Sequence, residues 1–181
     1  MAPSDPREKL ARRAYERGRA RLALRGAAVV LPMTVTSLAC CNRPAVSLAL
    51  GACLFAVTAL ALFRGSLQGR AAGAGLLAGT VPLLLPLAVR WSGHGCCADG
   101  CDGTWVGACL GAGLLAGALV GAAARRERRP VPFLLVAGSL AAVAGAMGCV
   151  PAGVGGVIAM MGAMLVASAP QAMWAPARRP G

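Results

Sequence analysis

Six runs without a single charged side chain divide this chain, at residues 26–41, 45–63, 71–89, 106–124, 131–149 and 152–169. Short polar or basic gaps separate them. Each run is rich in Ala, Leu, Val and Gly on all sides rather than on one stripe, so it predicts a helix that meets an apolar medium all round. Their lengths approach the roughly 20 residues needed to cross the hydrocarbon of a bilayer. The expected fold is all-α, an integral membrane bundle of six transmembrane helices. The first run is short unless Leu22 and Leu24 extend it, and Pro32 is positioned to kink it. Pro82 and Pro86 interrupt the third run near its end, where neighbouring helices can satisfy the freed carbonyls.

Three regions follow from this pattern. Residues 1–25 form a basic juxtamembrane segment, residues 26–169 the membrane domain with a cysteine-rich loop at 91–105, and residues 170–181 a tail containing Trp174, Arg178 and Arg179. A cleaved leader is a poor fit, because the basic stretch before the first run is long and Ser37-Leu38-Ala39-Cys40 is out of register with a lipoprotein cleavage site.

Composition agrees with a bilayer protein: 57% of residues are hydrophobic and 13% charged, too few charges to keep that much apolar surface in water. The net charge of +12 alone would suggest nucleic acid. Its placement argues otherwise. Sixteen of the eighteen basic residues lie before the first run, in the second and fourth gaps and in the tail; only Arg43 and Arg90 occupy the first and third gaps. That alternation is the positive-inside pattern, which puts both termini in the cytoplasm and the 91–105 loop outside, as in a multi-pass protein of a cell's inner membrane. With one Tyr and three Phe there is also little for base stacking, so no nucleic-acid partner is expected. The basic face, with Arg12, Arg13, Arg17 and Arg19, suits anionic lipid or a cytoplasmic protein partner.

Small residues set the expected helix contacts. Gly107 and Gly111, then Gly113, Gly117 and Gly121, stand four apart in the fourth run; Gly69 and Gly73, then Gly75 and Gly79, do the same at the third. Such rows let backbones approach closely, so the third and fourth runs are expected to pack together beneath the loop between them, with a homo-oligomer as another use of the same rows.

The chemistry is in the cysteines. The loop holds His94, Cys96, Cys97 and Cys101, and the topology adds Cys40, Cys41, Cys109 and Cys149 on the same outer side, with Cys53 alone mid-span. Three uses fit. Structural disulfides persist on the oxidising side of a membrane. A redox or thiophilic-metal sensor would use oxidation or metal capture at these soft ligands to move the helix ends. A static zinc site is the poorest match, since H-x-C-C-x-x-x-C lacks separated C-x-x-C pairs. No Asp, Glu, Lys, Arg or His lies inside a run, and no G-x-S-x-G, phosphate loop or HExxH occurs, so an enzyme is not expected.

The basic N-terminal segment, six short runs and the final hairpin AAVAGAMGCVPAGVGGVIAMMGAMLVASAP, with Cys149 at its turn, resemble the polytopic membrane anti-sigma factors of the NrsF-like and CarR-like kind. The resemblance implies a regulator that holds an extracytoplasmic-function sigma factor and responds, through outward cysteines, to metals or oxidants. Only Cys149 matches a cysteine of that family. The vicinal Cys40-Cys41 pair is similar to that of mercuric-ion transporters, which implies heavy-metal transport; this chain lacks a receiving cysteine pair on the cytoplasmic side. A structural membrane subunit whose cysteines only form disulfides is the third reading.

Overall fold

In the computed structural model, residues 6–40, 44–89, 102–150 and 153–173 are described, and they form seven α-helices with no strand among them. These are α1 (Pro6–Ala27), α2 (Val30–Cys40), α3 (Pro44–Arg64), α4 (Ser66–Val89), α5 (Asp102–Ala124), α6 (Pro130–Cys149) and α7 (Gly153–Met173). The all-helical expectation is met. The basic N-terminal segment and the first run form α1 and α2, one rod broken only at Ala28 and Val29. Pro32 explains the break. It has no N–H to give the Ala28 carbonyl four residues back, and Leu31 N donates to that carbonyl instead at 3.0 Å, tightening the turn.

Five stretches are long and apolar enough to cross a membrane: Arg12–Ala39, Pro44–Arg64, Trp105–Ala124, Pro130–Cys149 and Gly153–Gln171. α4 is not among them, but its 24 residues pack against α3, α5 and α6. Two expected boundaries move. Residues 102–105, read as part of the loop, are the first turn of α5, and the last helix continues past Ala169 through Pro170 to Met173.

The bundle is built with small residues inside and large ones outside. Ala71, Ala72, Ala112, Ala116, Ala137, Ala141 and Ala144 are fully buried, while Leu77, Leu135, Val154 and Val166 are each about 70% exposed or more. Water would not tolerate apolar exposure on this scale. In lipid it is the expected order, because a leucine gains nothing by leaving hydrocarbon, whereas a small residue lets two backbones meet.

Those close approaches join parallel helices that are next-but-one in sequence. A β-carbon on Gly75 would lie 2.9 Å from the Ala137 Cα, and one on Gly79 would lie 3.2 Å from the Ala141 Cα, so α4 lies along α6. Similarly, Gly113 faces Met160 and Ala163, Gly117 faces Met164, and Gly121 faces Gln171, so α5 lies along α7. The expectation that the glycine rows would join the third and fourth runs is therefore corrected. α4 and α5 do touch, but their glycines are spent on α6 and α7. Gly107, Gly111 and Gly73 have nothing within 4 Å of where a β-carbon would stand.

Pro82, buried within α4, seats its ring against Gly145, whose β-carbon would come 2.7 Å from the proline Cγ. Buried polar contacts tie α2 and α3 to the same part of α6. Ser37 in α2 shares a hydrogen bond of 3.1 Å with Ser47 in α3 and donates to the Met147 carbonyl of α6 at 3.2 Å. α3 passes to α4 through a single residue, Gly65, whose φ of +68° is open to glycine and strained for other residues.

Candidate thiol site and basic face

Alternating helix directions bring the C-terminal ends of α2, α4 and α6 to the same end of the bundle as the N-terminal ends of α3, α5 and α7. Cys109 lies seven residues into α5, about 10 Å along its axis, and Cys149 is the last residue of α6. Both are at 0% exposure, and with Met160 of α7 they form one buried cluster against which Val157 packs. The Cys109 and Cys149 side chains are packed into that one cluster. The Cys149 Sγ also lies 3.8 Å from the Met160 Sδ. Three helices thus deliver three sulfur atoms to one dry place near the end of the bundle.

The local reason for this convergence is again lack of bulk. Gly145, one turn before Cys149, leaves room for the Met160 side chain, whose sulfur would be 2.5 Å from a β-carbon at that position. Gly113, one turn after Cys109, lets α7 approach close enough to present Met160 to both cysteines. The donors are soft, two thiols and a thioether, a set suited to a thiophilic ion or to thiol oxidation and unsuited to hard cations such as Mg²⁺ or Ca²⁺.

The other candidate residues divide by location. Cys41, His94, Cys96, Cys97 and Cys101 lie outside the described residues, and so does the side chain of Cys40, whose backbone ends α2. Cys53 is exposed midway along α3. Among the described residues no group of three or more His, Cys, Asp and Glu side chains could hold a metal ion. The sequence pattern puts Cys109 near the same end as Cys149 without singling it out, and it does not point to Met160. The signal for Cys109 was there, since it and Cys149 both fall near the same expected membrane face; none existed for Met160, one methionine among several in its helix.

The opposite end is basic. The Arg19 guanidinium donates to the Phe63 carbonyl near the end of α3 and stacks over the rings of Phe63 and Tyr15, 5.4 and 5.9 Å from their centroids. Arg19 thereby helps hold α1 against α3. Arg12 pairs with Glu16 at 3.1 Å on the exposed side of α1, and Arg13 and Arg17 are exposed as well. Across the bundle, Arg70 of α4 meets Glu127, in the turn between α5 and α6, at 3.2 Å.

No protein-family model, no curated protein and no solved structure matches this chain. The chain is, on its own structure, a multi-pass bundle of apolar helices suited to a lipid bilayer.

Proposed function

We propose that this chain is a six-span regulator of a bacterial inner membrane, with α4 as the third of its spans. Its sulfur-bearing end lies outside and responds to thiol-reactive compounds or soft metal ions. Its arginine-rich end lies in the cytoplasm and holds a protein partner, for which the resemblance in sequence suggests an extracytoplasmic-function sigma factor. The alternation of basic residues supports this orientation. The observation that carries the reading is the meeting of Cys109 and Cys149.

Those two cysteines belong to different halves of the bundle. Cys149 is on α6, which is tied through glycines to α4; Cys109 is on α5, tied in the same way to α7. An oxidant that takes two electrons and two protons from the thiols would couple the halves through a disulfide. A soft divalent ion displacing the two protons would couple them through the metal. Either event acts where the two halves meet, and the same halves meet again at the basic end through Arg70 and Glu127. A small change in their relative tilt is a two-state element of the kind that a regulator requires.

The test uses the full-length protein in membranes together with an extracytoplasmic-function sigma factor from the same organism. Binding in the reduced state, release on treatment with diamide or Cd²⁺, and loss of release in the Cys109→Ser, Cys149→Ser variant are expected. Equal release from that variant, or no binding in either state, rejects the proposal.

A further inference from the structure

At the basic end a cleft of about 410 Å³ opens between α4 and α5. Arg70, Arg126 and Glu127 stand at its mouth, and Ala74, Leu119 and Phe133 are among the apolar residues that line it. Phe133 is 2% exposed and Leu119 52%, so the cleft has a closed floor and a side open to the bundle's surface. We propose that this cleft is a binding site for an anionic phospholipid, with the phosphate at Arg70 and Arg126 and the upper part of an acyl chain against the apolar wall.

Charge and polarity both favour that occupant. Two guanidinium groups face one carboxylate within the cleft, leaving one positive charge, and exposed Arg125, Arg128 and Arg129 in the same turn raise the potential around it. A phosphodiester supplies the missing negative charge in a geometry that guanidinium matches with paired hydrogen bonds. Ala74 lies two turns into α4, and Leu119 lies more than a turn before the end of α5, so the apolar wall descends toward the middle of the bundle as the headgroup site ends. A free phosphate would use only the mouth; a phospholipid uses both parts.

Glu127 has a defined part in this site. Its side chain is 13% exposed and holds Arg70 at 3.2 Å, so it competes with the phosphate for that guanidinium. Removing the carboxylate should therefore strengthen lipid binding, the reverse of what a purely structural ion pair would give.

The experiment is native mass spectrometry of the full-length protein in neutral detergent, titrated with phosphatidylglycerol or phosphatidylcholine. Selective retention of phosphatidylglycerol is expected. Arg126→Gln should weaken it about five-fold, the size expected for one arginine near an anionic surface. Glu127→Gln should strengthen it, and Arg64→Gln, at the same end but outside the cleft, should leave it unchanged. Lack of lipid preference, equal losses in Arg126→Gln and Arg64→Gln, or weakening in Glu127→Gln overturns the proposal. Competition by glycerol phosphate as effective as by the whole lipid assigns the cleft to a soluble anion and overturns it too. Should Arg126→Gln fail to fold, the Glu127→Gln and Arg64→Gln results decide.

Discussion

Gly117 and Met164 hold two helix backbones in direct contact: a β-carbon on Gly117 would come 2.9 Å from the Met164 Cα. The neighbour is main chain, which cannot swing aside as a side chain can. Gly117→Ala should therefore push α5 from α7 and cost about 1–3 kcal/mol, the usual range for overpacking. Gly111 belongs to the other row of small residues on the same helix and has open space around it. Gly111→Ala should be neutral or stabilising by up to ~1 kcal/mol, because alanine is the better helix former. Thermal unfolding in detergent separates the two, and equal effects would contradict the α5–α7 contact.

Cys109 and Cys149 lie on opposite sides of the arginine-rich turn at residues 125–129. Trypsin should cut that turn and split the chain between them. In a variant with the other six cysteines replaced by serine, mild oxidation should leave the two fragments joined until a reductant is added. Cys149→Ser in that background should release them at once. Fragments that separate without reductant would show that the two thiols do not meet.

Arg19→Ala should loosen α1. It removes a hydrogen bond to the Phe63 carbonyl and two cation–aromatic contacts, together worth on the order of 1–2 kcal/mol. Hydrogen exchange in α1 should quicken while that of α5 stays as it was. Arg12→Ala, which breaks only an exposed pair with Glu16, should change exchange very little.

Ser37→Ala leaves Ser47 without the hydroxyl that faces it across α2 and α3. A double-mutant cycle with Ser47→Ala should give a coupling of about 0.6 kcal/mol, typical of hydrogen bonds between membrane helices. A coupling of zero would mean that the two hydroxyls are merely neighbours.

Reporters test the orientation. An enzyme active only in the cytoplasm should work when fused within residues 125–129 and fail when fused after Gly100. The reverse result would place the arginines outside and remove the basis for a cytoplasmic partner.

Much of this architecture is written in single residues and short patterns. A membrane helix declares itself by length and lack of charge, so α3 and α6 begin and end close to where charged residues and prolines predict, while α5 starts and α7 ends about a turn beyond. Pro32 announced a distortion in the first span, and the break appears one turn earlier, where its missing N–H is felt. A glycine row states that a close neighbour fits but says nothing of which one. Gly75 and Gly117 could have met each other across α4 and α5, but Ala137 and Met164 fill those places. That choice depends on how all the helices rotate and tilt together, information absent from any one of them.

The thiol site shows the same division. The sequence by itself determined that Cys109 and Cys149 come near the same end of their helices, because helix length and direction decide which end a residue reaches. Only the tertiary structure decided that Cys109 and Cys149 touch and that Met160 joins them. A residue 40 positions away becomes a partner only when two helices present the right faces at the right depth, and here glycines on α5 and α6 made that approach possible.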